Sequence, residues 1–244
     1  MPDQYPRVKG VVDVVFLIDV TGSMSHCIEA LKSNIKAFVR TLTEGGGPND
    51  AGPLVKDFRI KIVGYRDAVC DLNWFVEQPF TSSVDDAVLH IGSLTAEGGG
   101  DEPESLLDAL HRVCSMSETD DGAPLEPGKW RFRRAATRVV IVFTDATFHP
   151  TMSYPEGRGG GVSDVRNLVM TKRVLVEFFV PDLDCFVDIE AFDKCNGHRI
   201  PFDSSKVNGA ATALEEFTRD KVNFSKVMLA LAKSVSVSAE VPLV

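Results

Sequence analysis

Apolar residues along this chain fall into two kinds of run, and the two alternate from one end to the other. Val11 to Val20 (VVDVVFLIDV) is almost continuous Val, Leu, Ile and Phe, interrupted by Asp13 and Asp19. A strand with no polar face is one buried on both sides, as in the middle of a parallel sheet. Directly after it, Ile28, Leu31, Ile35, Phe38 and Leu42 recur at helical spacing, and EGGGPNDAG stops the helix they predict. Phe58 to Tyr65 alternates apolar and polar (FRIKIVGY), with Trp74 to Phe80 expected as its hairpin partner. Ser83, with Asp86 three residues later, resembles a capping box that opens a short helix to about Leu94. Pro103 is expected in the first turn of a further helix, whose apolar stripe is Leu106, Leu107, Leu110 and Val113.

The second half continues the alternation. A basic, loop-like stretch from Asp120 to Arg138 leads into Val139 to Thr144, a second fully buried strand. A Gly-rich loop, Ala146 to Gly161, precedes a helix near Asp164 to Arg173, and Val174 to Val180 is a third buried strand. His198 to Phe202 is expected as a short last strand, and Leu214, Phe217, Phe224, Val227, Met228 and Leu231 mark C-terminal helices. Strands alternating with helices predict an α/β fold, a mostly parallel sheet covered by helices on both faces. The Gly triplets starting at 45, 98 and 159 sit in unlike contexts and make no repeat. No interior linker divides the chain, so one domain is expected over 8–236, with 1–7 and 237–244 as terminal tails.

Composition narrows the function more than the fold. With 244 residues the chain can bury a large core without disulfides or metals. A net charge of −9 argues against nucleic acid, whose phosphates need clustered Lys and Arg. The run from Val11 to Ile18 is too short for a bilayer and is broken by Asp13, so no membrane span is expected. MPDQYPRVKG lacks the apolar stretch of a signal peptide. Five cysteines with no CxxC pair suit free thiols in a reducing compartment, and a cytoplasmic location is expected. Cys185, Cys195 and His198 do not have the spacing of a zinc finger.

In open α/β sheets, sites form where loops leave the carboxyl ends of the strands. Two buried strands here end in an acid, Asp19 in FLIDVTGSMS and Asp145 in VVIVFTD. Between them, EGGGDEPE (Glu97 to Glu104) runs toward a helix N-terminus. Three oxygen-rich loops at one edge suggest Mg²⁺, which takes six oxygen ligands and retains water. In extended backbone alternate residues point the same way, so Asp19, Thr21 and Ser23 can aim three oxygens at one point while Gly22 lets the loop turn. Hydroxyls are neutral ligands, so a metal they hold stays electrophilic and seeks a partner's carboxylate. The plainer reading of Asp19 is a helix cap. For Glu104, and in part for Glu102, it is an acid favoured by the helix dipole. That leaves Asp101 as the candidate ligand of the middle loop. His149, Tyr154 and Arg158 are open to partner contact and to plain solvent exposure alike.

DVTGS resembles the D-x-S/T-x-S metal-ion-dependent adhesion site (MIDAS) of von Willebrand factor A (VWA) domains, and TDATFHP resembles that family's second acidic strand end. The resemblance spans roughly Val8 to Ser236. It implies a Rossmann-like three-layer α/β/α fold whose mostly parallel sheet has one antiparallel edge strand. It also implies direct metal contacts from Thr21 and Ser23, with Asp19 and Asp145 acting through water or from behind. Where the family's middle loop supplies threonine, Asp101 stands here. The VWA-like domains of integrin β subunits carry an acid in that loop, and their TDA-x-FH stretch is similar to Thr144 to His149. Their adjacent second metal site uses two acids where this chain has His26 and Cys27, so that site is expected to be absent. The function implied is a non-enzymatic module that holds Mg²⁺ (or Mn²⁺) and grips a protein partner through an acidic side chain. An AAA+ ATPase or a multi-protein assembly is the partner the resemblance suggests. The rival is a phosphohydrolase of haloacid dehalogenase type with Asp19 as nucleophile, but Thr21 stands where its general acid belongs. Neither G-x-G-x-x-G nor a lysine-bearing phosphate loop follows the first strand, which speaks against a nucleotide scaffold.

Overall fold

The computed structural model describes residues 7–8, 10–45, 54–99, 102–191, 193, 195–239 and 241–242. Its elements run β1 (Arg7–Val8), β2 (Val11–Asp19), α1 (Ser25–Glu44), β3 (Asp57–Tyr65), β4 (Phe75–Glu77), α2 (Val84–Gly92), α3 (Leu106–Ser115) and β5 (Thr137–Phe143). There follow α4 (Val162–Lys172), β6 (Val174–Pro181), α5 (Val187–Glu190), β7 (Cys195–Ile200), α6 (Gly209–Arg219), α7 (Lys221–Ala239) and β8 (Val241–Pro242). Six strands form one sheet in the order β4-β3-β2-β5-β6-β7, all neighbours parallel except β4, which pairs antiparallel at the edge. A three-layer α/β/α fold results, as the sequence predicts.

The alternation of side chains along β2 explains why this strand shows no polar face. Val12, Val14, Phe16 and Ile18 pack under α1, α2 and α7, with Phe16 edge-on to Phe38 at 5.4 Å. Val15 and Leu17 point the other way, into a core shared with α3, α4 and α5. Burying each such side chain contributes about 1.5–3 kcal/mol, so the central strand is held on both sides. Asp13 is the exception and is fully buried, at 0% exposure. It accepts from Arg59 Nη2 at 2.6 Å, Arg131 Nη1 at 3.0 Å and the Arg131 backbone N–H at 2.8 Å. The basic stretch read as a loop thus turns Arg131 inward, and that network closes the sheet edge opposite the strand carboxyl ends.

Three expectations are refined by the structure. The helix expected to contain Pro103 starts at Leu106 behind Ser105. Pro103 precedes it because Glu104 is committed to a bridge with the 147–149 segment, its N–H donating to Thr147 O at 2.9 Å while His149 N–H donates to its carbonyl at 3.0 Å. The hairpin partner shrinks to Phe75–Glu77. The last strand of the six-stranded sheet is Cys195–Ile200 instead of 198–202, hidden from the pattern because its first residues are polar and sit at the sheet edge. Helix α7 continues past 236 to Ala239, and Arg7–Val8 pairs antiparallel with Val241–Pro242. The Ser83 cap forms, its Oγ accepting from Asp86 N–H at 3.2 Å.

Candidate metal centre

Asp19 is the last residue of β2, and the parallel neighbour β5 ends beside it, so Thr144 and Asp145 leave the sheet at the same edge. One Asp19 oxygen, Oδ1, accepts from the Thr21 backbone N–H at 2.9 Å and from Thr21 Oγ1 at 2.7 Å. The other, Oδ2, accepts from Thr144 Oγ1 at 2.7 Å. Both oxygens are engaged and the side chain has no exposure, so Asp19 lies behind the hydroxyls and does not open onto the surface itself. Thr21 is extended, and a 3-10 turn over Gly22–Met24 follows, closed by Met24 N–H donating to Thr21 O at 3.0 Å. The strand alternation expected from the sequence is therefore not what brings Ser23 to Thr21. The turn swings it back until the two hydroxyl oxygens lie 3.4 Å apart.

The middle loop closes over these hydroxyls. Gly22 N–H donates to Gly98 O at 3.4 Å, and Gly99 takes φ +68° so close to Thr21 that an added Cβ would meet the Thr21 Cβ at 2.7 Å. Only glycine combines that backbone with that approach. Arg66 clamps the same loop from beneath. Its guanidinium donates to the carbonyls of Glu97 at 2.8 Å, Thr95 at 2.8 Å, Asn73 at 2.9 Å and Val20 at 3.3 Å. Further out, Asp67 accepts from Ser105 Oγ at 2.9 Å and lies 3.1 Å from His149 Nε2, tying three loops together.

Electrostatically the site is overloaded with carboxylates. Burial, and then the Asp145 charge, push Asp19 up to about 7 despite the hydrogen bonds from Thr21 and Thr144. Glu104 is only 2% exposed, one of its carboxylate oxygens (Oε2) has no hydrogen-bond partner among the described residues, and burial with the charges of Asp19, Asp67, Asp71 and Asp145 pushes it up to about 8. Asp145 is also raised, mainly by burial, although the Ser23 hydroxyl hydrogen-bonds to it. Thr21, Ser23, Glu102, Glu104 and Asp145 share a cleft of about 510 Å³, and none of its lining residues is basic. Among the described residues no three His, Cys, Asp or Glu side chains form a ready metal cage. What converges is a mixed set, two hydroxyls with carboxylates beside and behind them. Such hard oxygens suit Mg²⁺ or Mn²⁺ with water retained in the remaining positions.

No protein-family model matches the chain. Two curated proteins do. It is 29% identical over 162 residues to alpha-protein kinase vwkA of Dictyostelium discoideum, covering 64% of this chain and 23% of that one. It is 22% identical over 219 residues to the putative ariadne-like RING finger protein R811 of Acanthamoeba polyphaga mimivirus, covering 88% of this chain and 19% of that one. The chain thus spans about a fifth of the length of these relatives. Among solved structures, proximal thread matrix protein 1 of the mussel byssus, with a zinc-occupied MIDAS motif, superposes with a TM-score of 0.52 at 14% identity. The alignment covers 93% of this chain and 50% of that one. The pilus adhesin SpaC of Lactobacillus rhamnosus GG, in its open conformation, superposes with a TM-score of 0.51 at 13% identity, covering 97% and 31%. The fold is VWA-like.

Within this VWA-like fold Asp19, Thr21, Ser23 and Asp145 come to one sheet edge, while Asp101 lies outside the described residues. Sequence reasoning missed Glu104 and Arg66. The sequence places Glu104 at a helix N-terminus, but α3 begins after it and its carboxylate lines the cleft. No local signal in the sequence marks it, because the pairing of Glu104 with Thr147 and His149 is what holds it outside the helix. Tyr154 is a packing residue, its ring centred 4.9 Å from that of Trp74. Arg158 Nε donates to Ser153 O at 3.3 Å, and His26 lies 3.4 Å from Glu215.

Proposed function

We propose that this cleft binds one Mg²⁺ (or Mn²⁺) and, through it, grips an acidic side chain of a partner protein. Thr21 and Ser23 are its hydroxyl ligands, Asp19 and Asp145 orient them and balance charge, and Glu104 joins as a carboxylate ligand. Asp101 stands beside this set as a further candidate. One observation supports the reading most: several carboxylates are buried around a cleft whose lining, among the described residues, offers no protein cation, and Glu104 Oε2 has no hydrogen-bond partner among them. Burying a lone carboxylate is costly, and protons or a metal ion are what remain to neutralise it. The zinc-occupied MIDAS of the mussel protein supports a divalent cation here as well. The small share that this chain covers of both curated relatives fits a recognition module used beside other activities. The family resemblance, not these relatives, is what suggests the cytoplasm and an AAA+ ATPase or a larger assembly as its setting.

A hydrolase is disfavoured by the same geometry. Asp19 has both oxygens engaged by hydroxyls and no exposure, so it cannot reach a phosphorus atom as a nucleophile. The reading is tested by thermal melting with and without Mn²⁺. A ligand that binds only the folded state raises its stability by mass action. Asp19→Ala is expected to keep the fold and lose most of the shift, whereas an unchanged shift would place the ion elsewhere.

A further inference from the structure

We infer that the first turn of α6 is a second anchor for the partner's carboxylate, and that the segment taken is an acidic residue flanked by an apolar one. The inference rests on the cation-bound acid proposed above and states what receives the other carboxylate oxygen. The cleft has two unlike sides. On one are Thr21, Ser23, Asp145 and the 2% exposed Glu104 with its unpartnered Oε2. On the other, α6 begins at Gly209 and packs against the 3-10 turn that carries Ser23. In that first turn Gly209 N–H donates to Lys206 O at 3.1 Å and Thr212 N–H to Asn208 O at 2.9 Å. The amides of Ala210 and Ala211, between them, have no acceptor among the described residues, and Asn208 makes no side-chain cap.

Two free N–H groups and the positive end of a helix dipole are an anion site in form. Alone they would mean little, but they share a cleft with a buried, unpartnered carboxylate that calls for a cation. A carboxylate between the two can place one oxygen on the ion and the other on the α6 amides. The cleft is larger than a carboxylate needs, and Leu183 and Phe202 complete its wall, so an aliphatic neighbour of the acid has an apolar seat. Glu102 also lines the cleft, accepting from Thr147 Oγ1 at 3.1 Å. Its charge repels an incoming acid, which makes binding depend on the cation.

The test uses the full chain, Mg²⁺, and three small probes: acetate, 3-methylbutanoate and the neutral 3-methylbutanamide, followed by backbone amide NMR. With saturating Mg²⁺, 3-methylbutanoate is expected to shift Thr21, Ser23, Ala210 and Ala211 in one saturating transition and to bind several-fold more tightly than acetate. The amide probe, or EDTA, abolishes the effect. Ala210→Pro places proline in a helix's first turn, where it is tolerated, and removes one donor. It should leave Mg²⁺ affinity intact and weaken 3-methylbutanoate about tenfold, the value of one charge-assisted hydrogen bond. If the variant does not fold, the wild-type shifts still decide. Shifts at Thr21 and Ser23 without any at Ala210 and Ala211 would overturn the α6 anchor and leave the cation-bound acid standing. Mg²⁺ that leaves Thr21 and Ser23 unmoved would remove both.

Discussion

Glu104→Gln exchanges a carboxyl for a neutral group of the same shape, at a position raised to about 8 beside Asp19 at about 7. Cations compete with protons for such ligands. At pH 6 Glu104 is about 99% protonated, so cation binding must first remove a proton at a cost of roughly a hundredfold in affinity, and Asp19 adds about tenfold. At pH 8 these penalties fall to about twofold and to almost nothing. Apparent Mg²⁺ affinity of the wild type should therefore tighten by about two orders of magnitude or more between pH 6 and pH 8. In Glu104→Gln only the Asp19 part remains, about tenfold, and binding at pH 8 should be weaker than in the wild type. The sign for the metal-free protein is opposite. Both folded pKa values lie above their ordinary values of 4.5 and 3.8, so the folded state holds protons the unfolded chain has released, and stability falls as pH rises from about 4 through about 8. The neutral variant should lose less over that range. Calorimetric titration at several pH values, in buffers of different ionisation enthalpy, gives both affinity and protons released. Affinity that is flat from pH 6 to pH 8, or a variant that binds as tightly as wild type, would refute the reasoning.

Three further outcomes are expected. Asp13→Ala should cost about 3–5 kcal/mol in denaturant unfolding, because it leaves the buried guanidiniums of Arg59 and Arg131 without their shared carboxylate; a loss under about 1 kcal/mol would mean water replaces it. Asp101→Thr should weaken Mn²⁺ affinity if that carboxylate joins the ion, but should cost only a few tenths to about 1 kcal/mol of stability, with unchanged affinity, if it merely faces a helix N-terminus. A panel of phosphate esters and nucleotides with Mg²⁺ should show no turnover, and hydrolysis abolished by Asp19→Asn would reverse the non-enzymatic reading.

The parts of the fold that could be read from sequence are those where burial leaves a periodic trace. β2, β5 and β6 are covered on both faces and appear as nearly continuous apolar runs, while α1 shows its stripe from Ile28 to Leu42. β7 lies at the sheet edge, so Asn196 and Gly197 stay polar or small and leave no pattern. The site divided in the same way. Asp19, Thr21 and Ser23 are local in sequence, and DVTGS displays them together. Glu104 and Arg66 reach the cleft and its loop only through tertiary contacts, the bridge to 147–149 and the carbonyl clamp on 95–97. Burial of Glu104 depends on loops distant in the chain, and no spacing announces it.

Anomalous diffraction from a crystal soaked in Mn²⁺ tests the central claim most directly. The account predicts one strong peak in the cleft, about 2.0–2.3 Å from Thr21 Oγ1 and Ser23 Oγ and within reach of a Glu104 oxygen, with Asp19 behind the hydroxyls. A peak elsewhere, or an empty cleft at a Mn²⁺ concentration that stabilises the protein in solution, would contradict it.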